Sequence, residues 1–465
     1  MIDAASFGCQ TQRVVDPTSL WKPPLRWLTV GLALTVVATA FEALAVATIL
    51  PTTNAELGGI AWYGWTFSAF MLANLVGISL GGGVTDRRGP TLPFVCGTLL
   101  FAAGLVLSGL APSMPVIVLG RTAQGIGAGL LSSVSYASIA RAYPIELQPR
   151  MLATLSSAWV IPGLVGPGLA GAIEHYASWR WVFLGLAPLS LLAAVLVVPA
   201  LRALPAARTH AQETAADYTS ALLLAAGSAV VLVGLSVHSW WLALLLAALG
   251  LSAALRGFVR LMPPGTLLAR AGQPAALACL GLLTAAFFGT EAFVPLALSR
   301  VRGQSIALTG VALSSATVTW TLGAWLPVRL AARFTRRTLV MGGLALILLG
   351  IAGVLALLVP SVPTWLVVVA WGITGLGMGL SFTTTSAAIL EAAPPGREGV
   401  TSSSLQLAQV LGAALATGAG GAVVAASFAG DPPRLGLALV DLMMLATTAL
   451  ALVAARRLRG APAAP

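Results

Sequence analysis

Two glutamates and one arginine stand inside long apolar stretches of this sequence: Glu42, Glu291 and Arg121. A charge in hydrocarbon is costly, so an ionisable side chain in such a stretch is a functional candidate by default. A carboxyl placed there is neutral while occluded and ionised once water or a cation reaches it, which is the behaviour a proton-coupling site needs. The plainer alternative is a protonated glutamate that only hydrogen-bonds a neighbouring helix. Arg121 keeps its charge and therefore needs a partner, either backbone carbonyls or a carboxylate. Glu42 is the nearest candidate for that role. Asp441, Glu174 and Glu391 fall nearer the ends of their apolar stretches.

Other chemistries lack their residues. The three histidines, His175, His210 and His238, are far apart and show no metal-ligand spacing. Cys9, Cys96 and Cys279 are odd in number and scattered, so they imply no disulfide framework. No nucleophile–base pair appears, and no enzyme, metal or cofactor is expected. The run Gly125-Ile-Gly127-Ala-Gly129 could pass for a phosphate loop, but no strand precedes it and the surroundings are apolar. Close helix packing is the better reading. A nucleotide-hydrolysing loop needs Gly-x-x-x-x-Gly-Lys, and the sole lysine, Lys22, has no such glycines before it.

The elements that must position these groups are membrane helices. Of the 465 residues 58% are hydrophobic and 8% charged, against about a quarter charged in a soluble domain. Fourteen apolar runs are long enough to cross a bilayer: 26–50, 61–84, 91–112, 114–140, 149–174, 180–200, 218–237, 239–256, 273–298, 304–328, 338–360, 362–390, 399–425 and 435–455. Of the 25 Lys and Arg, Arg121 lies within a span, and Arg180, Arg300, Arg302 and Arg434 fall on one side. The remaining 20 fall on the side of the two termini, which the positive-inside rule makes cytoplasmic. The net charge of +11 has this topological cause, and no soluble basic domain exists to bind nucleic acid. The first 24 residues have no apolar core, so no cleavable signal is expected and the first run stays as a helix.

The chain also repeats itself. Gly125-x-Gly127-x-Gly129 recurs as Gly375-x-Gly377-x-Gly379, Glu42 is echoed by Glu291, and Asp86-Arg87-Arg88 by the Arg333–Arg337 loop. Two parallel six-helix halves explain this, and parallel halves are a transporter signature. The expected division is a cytoplasmic segment 1–25, an N-terminal half 26–200, a linker 201–217, two inserted helices 218–256, a linker 257–272, a C-terminal half 273–455 and a tail 456–465. The inserted helices have no buried ionisable group and read as lipid-facing.

Four motifs then carry a family resemblance. Gly82-Gly-Val-Thr-Asp86-Arg87-Arg88-Gly89, between spans 2 and 3, resembles the G-x-x-x-D-R-x-G loop of the major facilitator superfamily, departing from it at Pro90 and Thr91, where basic residues are usual. Arg121-Thr-Ala-Gln124-Gly125-Ile-Gly127 resembles the R-x-x-Q-G-x-G motif of its proton-coupled members. Gly163-Leu-Val-Gly166-Pro167-Gly168-Leu-Ala-Gly171 is similar to the motif of its exporters, and Trp179-Arg-Trp-Val-Phe183 is also typical. The fourteen-span count resembles the drug:proton antiporter branch.

The resemblance implies an all-α membrane protein of the major-facilitator fold, and a proton-coupled antiporter exporting lipophilic or cationic small molecules. A proton-coupled uptake symporter for a nutrient or sugar, or a lipid transporter, is the alternative. It implies proton coupling at Glu42, Glu291 and Arg121, gating at Gly82, Asp86, Arg87 and Gly89, and an antiporter motif at Gly163, Gly166, Pro167 and Gly171. Asp86 is expected near the N-terminus of span 13, at Gly399–Ser404, where a helix dipole would hold its carboxylate. Asn74, Gln124, Trp159, Trp320, Gln406 and Gln409 lie on helices expected to line a cavity, and each could equally serve helix packing. The expected partners are a small-molecule substrate, protons and the lipid bilayer, with the chain acting as a monomer in the cell membrane.

Overall fold

The computed structural model describes residues 20–21, 25–144, 147–202, 218–237, 239–330, 333–393, 398–427 and 433–458. Cys9, Arg13, Lys22, Arg208, His210, His238, Arg397 and Arg459, and most of the 201–217 linker, lie outside these residues. The described residues are helical, with no β-strand among them. Fourteen membrane-length segments follow one another. They are α1 (Leu25–Leu57), α2 (Tyr63–Arg88), α3 (Thr91–Gly109), α4 (Met114–Ala142), α5 in two pieces (Gln148–Ser157 and Val160–Tyr176), α6 (Trp179–Arg202) and α7 (Tyr218–Ser236). Then come α8 (Trp240–Leu261), α9 (Gln273–Glu291), α10 (Ile306–Leu330), α11 (Arg336–Ala356), α12 (Leu366–Glu391), α13 (Glu398–Ala426) and α14 (Arg434–Ala455). Twelve helical spans are long and apolar enough to cross a membrane; α5 and α10 complete the fourteen. In a bilayer every backbone N–H and C=O must be satisfied within the segment, and a helix does this locally.

Among the boundaries that differ from the sequence reading, three have a local reason. Span 5 breaks at Ala158–Trp159, four residues before Pro162, whose ring displaces the carbonyl of residue 158 and offers no N–H to it. Span 9 leaves the α-helix at Glu291, four residues before Pro295, and continues through a short turn, Val294–Leu296, and a π-type turn, Ala297–Val301. Span 8 runs on to Leu261, so Arg256 and Arg260 extend from helix rather than linker, as long basic side chains at a membrane boundary do.

The helices form two matching sets. Within α1–α6, α4 packs on α2 and α3, and α6 packs on α1 and α3. Within α9–α14, α12 packs on α10 and α11, and α14 packs on α9 and α11. The glycine repeat fixes this geometry. Gly125 and Gly129 leave no room for a Cβ against the carbonyls of Phe70 and Asn74, and Gly375 and Gly379 stand likewise against Ala316 and Trp320. Gly127 meets Gly97 of α3 as Gly377 meets Gly343 of α11. Small residues let membrane helices approach until backbones touch, which is where van der Waals packing is strongest.

Between the sets, α2 packs on α13 and α5 on α10. The inserted helices pair with each other, but they differ from the lipid-facing expectation in one respect. Helix α8 is almost wholly exposed, whereas α7 covers the α2–α13 seam with Leu232 against Gly418.

Candidate functional site

The strongest polar feature is a buried network inside the first helix set. Glu42, in the middle of α1, is fully buried and forms an ion pair with Arg121 of α4, which is 2% exposed. Arg121 Nε donates to the Thr66 carbonyl of α2 at 3.0 Å, and its Nη1 donates to Gln124 Oε1 at 2.7 Å. Gln124 Nε2 in turn donates to Ser108 Oγ of α3 at 3.1 Å. The guanidinium also lies over the Phe70 ring, 4.2 Å from its centroid. Four helices therefore converge on one cation. Glu42 has no such support: apart from the guanidinium, no donor among the described residues satisfies its oxygens. Two charges taken out of water hold each other only while both are present, so a proton on Glu42 would unbalance the site at once.

Gln124 and Asn74, read as cavity-lining, serve packing in this structure. Gln124 is fully enclosed between Arg121 and Ser108. Half-buried Asn74 reaches the Gly125 carbonyl with Nδ2 at 3.4 Å. Trp159 lies exposed at the α5 break, Gln406 and Gln409 are half-buried on α13, and half-buried Trp320 joins an aromatic cluster.

The matching place in the second set is apolar. Trp371, which stands where Arg121 stands in the repeat, lies stacked on Phe287 of α9 at 5.0 Å. Glu291 is not the mate of Glu42, which corrects the reading from sequence separation. Phe41 covers Gly166 of α5 and Phe293 covers Gly420 of α13, so Phe293 matches Phe41 and Glu291 falls about one turn short of the matching place. Separations between mates run from 246 residues (Gly77 and Gly323) to 254 (Gly166 and Gly420), so the 249 between the glutamates marks no equivalence. Glu291 is half-buried and forms no hydrogen bond or ion pair with the described residues. Asp441 lies seven residues into α14, is 5% exposed, and is likewise unpaired among them.

Among the described residues, the hydrogen bonds that join the two sets lie on one side. Ser68 Oγ donates to the Ala414 carbonyl at 2.9 Å and lies 3.0 Å from Thr417 Oγ1. Tyr63 donates to the Ala292 carbonyl at 3.2 Å, and Ser314 to the Leu164 carbonyl at 3.2 Å. Gly163 is pressed against Thr317, Gly64 against Gly421, and Pro167 lies beside Gly310. Gly166 sits under Phe41, and Gly171 is half-buried farther along α5. All these residues lie in the half of the bundle away from the arginine-rich face. Toward that basic face, the lower piece of α5 packs on α1 and α4 of its own set. These contacts close the bundle on the side away from the arginine-rich face.

At the basic face, Gly89 ends α2 at φ 80°, a conformation favouring glycine, and its N–H caps the Thr85 carbonyl at 3.0 Å. Arg87 is exposed, and Gly82 is half-buried with open space around it up to Ser133. The Asp86 side chain and residues 394–397 lie outside the described residues, as do the side chains of Glu398 and Gly399. Two ion pairs escaped the sequence reading: Arg336 with Glu391 at the basic face, and Arg180 with Glu56 (2.5 Å) at the other. Trp179 Nε1 also donates to Glu56 at 2.7 Å, tying α6 to α1.

A family model described as Major Facilitator Superfamily matches residues 31–417. An uncharacterised MFS-type transporter of Mycobacterium tuberculosis is 30% identical over 278 residues, covering 56% of this chain and 39% of the relative. A probable multidrug-efflux transporter of the same organism is 34% identical over 155 residues, 33% of each chain. This chain thus spans well under half the length of these two relatives. Among solved structures, a bacterial homologue of the human lysosomal transporter Spinster, inward-facing and unoccupied, superposes with a TM-score of 0.67 at 14% identity, covering 94% of this chain and 98% of that one.

Proposed function

The chain belongs to the Major Facilitator Superfamily and is a membrane transporter, not an enzyme; on that premise we propose that it is a proton-coupled antiporter exporting lipophilic or cationic small molecules by alternating access. The observation that carries this reading is the Glu42–Arg121 pair, buried inside the first helix set. The positive-inside rule puts the arginine-rich face in the cytoplasm, so the bundle, sealed at the other face, is open inward. Both termini then face the cytoplasm, and the membrane is the cell membrane.

The exchange cycle follows from charge. In the sealed state Glu42 is ionised and held by Arg121. Rocking of the two sets about the α2–α13 and α5–α10 seams opens the outer side and lets a proton reach the carboxylate. Protonation removes the negative partner of Arg121, whose remaining ligands are the Thr66 carbonyl and Gln124. A proton on Glu42 therefore leaves the positive charge of Arg121 unbalanced, which disfavours a cationic substrate elsewhere in the bundle, so each leaves as the other arrives. No group for ATP hydrolysis is present in the sequence, so the gradient supplies the work, about 2.3 kcal/mol per charge per 100 mV. Asp86 and Arg87 are proposed to latch the cytoplasmic side when it closes.

The test is the direction of proton movement. In proteoliposomes with a pH-sensitive dye inside, antiport predicts that substrate moving one way drives protons the other way. Protons moving with substrate would establish the uptake symporter instead.

A further inference from the structure

We infer that the aromatic cluster around Trp320, together with Glu291, forms a binding subsite for aromatic or lipophilic organic cations. The inference rests on the transport reading above and gives it a substrate site in the C-terminal half.

The rings come from three helices. Phe287 stacks on Trp371 at 5.0 Å and meets Trp320 edge-on at 5.2 Å, while Phe382 of α12 lies 5.5 Å from Trp320. Phe288 lies 6.3 Å from Trp320. Phe288, Trp320 and Phe382 are only half-buried, so protein does not cover the cluster completely. Ring faces are electronegative and attract a cation within about 6 Å of their centroids.

Two polar groups at this place lack partners among the described residues. The Trp371 indole N–H is fully buried and meets no acceptor, although buried donors are nearly always satisfied. Glu291 follows Phe287 by four residues and Phe288 by three, which puts its carboxyl on the same helix face, one turn beyond the rings. Among the described residues it pairs with no cation: Arg302 is occupied by the carbonyls of Val359 and Val362. Rings and a carboxyl suit a ligand with a delocalised positive charge, and the indole N–H suits an acceptor on it. The N-terminal counterpart could not do this, since Arg121 would repel a cation there.

The test uses the purified full chain in detergent and tritiated tetraphenylphosphonium. Saturable binding is expected, weakened roughly tenfold or more by Glu291→Gln and by Trp320→Ala, and largely retained in Trp320→Phe. Trp241→Ala, on the exposed face of α8, should bind as the unchanged protein does. A measurement on the unsubstituted protein guards against misfolded variants. Dicyclohexylcarbodiimide labelling of Glu291, read by peptide mass spectrometry, should be slowed by tetraphenylphosphonium and not by neutral triphenylmethanol. No saturable binding, Glu291→Gln binding at full affinity, or labelling indifferent to the cation would each overturn the inference. A protein that binds the cation through Glu291 yet moves no protons would uphold this subsite and contradict the antiport reading.

Discussion

At the centre of α4, Arg121 holds Glu42 against a backbone carbonyl and a glutamine; at the matching place on α12, Trp371 lies flat on Phe287 at 5.0 Å. The scaffold around these two places is the same down to the glycine contacts. Gly104 closes on Gly120 and Gln124 in one set, and Gly350 on Ala370 and Thr374 in the other. A duplicated bundle has therefore kept its packing and diverged in its centre, one half holding charge and the other rings. On the proposed cycle, this symmetry would serve the rocking of two bodies of like shape. The asymmetry is where the proton and the cargo would be told apart.

Substitutions can break that contrast or sharpen it. The largest effect should come from Arg121→Ala, which leaves Glu42 buried without a counter-charge. A loss of about 3–5 kcal/mol is expected, read as a lowered melting temperature in detergent. Trp371→Ala, by contrast, empties ring volume and strands no charge, so restoring stability by lowering pH should succeed for Arg121→Ala only. At the seam, Gly163→Val would drive a side chain into Thr317. It should disfavour the sealed state by about 1–3 kcal/mol, seen as longer spin-label distances between α5 and α10 at the outer face. Asp441→Asn should leave stability unchanged or raise it by up to about 1 kcal/mol, because it removes a buried carboxyl that no described residue pairs with. The smallest effect belongs to Trp241→Ala: 59% exposed on α8, it should shift stability by less than about 0.5 kcal/mol and leave transport intact.

Much of this was readable from the sequence, because membranes enforce rules water does not. Apolar length gave the fourteen segments, the arginine bias their alternation, and the cost of buried charge singled out Glu42 and Arg121. Helix breaks were harder: Pro162 and Pro295 were visible, but whether a proline bends a membrane helix or ends it depends on neighbouring backbones. The second centre was hidden for a different reason. Phe287, Phe288, Trp371 and Phe382 look like any apolar residues in apolar helices, and only packing shows that they converge. Trp371 falls 250 residues after Arg121, the spacing of the glycine repeat, yet nothing in the sequence shows that its indole N–H is left without an acceptor. The Glu42 and Glu291 pairing misled because loop lengths differ between halves, so equal separation in sequence does not mean equal place. Gln124 carried a polar side chain toward a presumed cavity, and the fold spends it on Arg121 and Ser108 instead.

The proton role of Glu42 decides whether the charged half is an engine or a brace. Glu42→Gln keeps the shape of the side chain and removes its ability to ionise. Reconstituted in liposomes, it should lose all uphill transport under an imposed pH gradient while still exchanging labelled for unlabelled substrate at equal pH. Undiminished gradient-driven accumulation by Glu42→Gln would contradict the account.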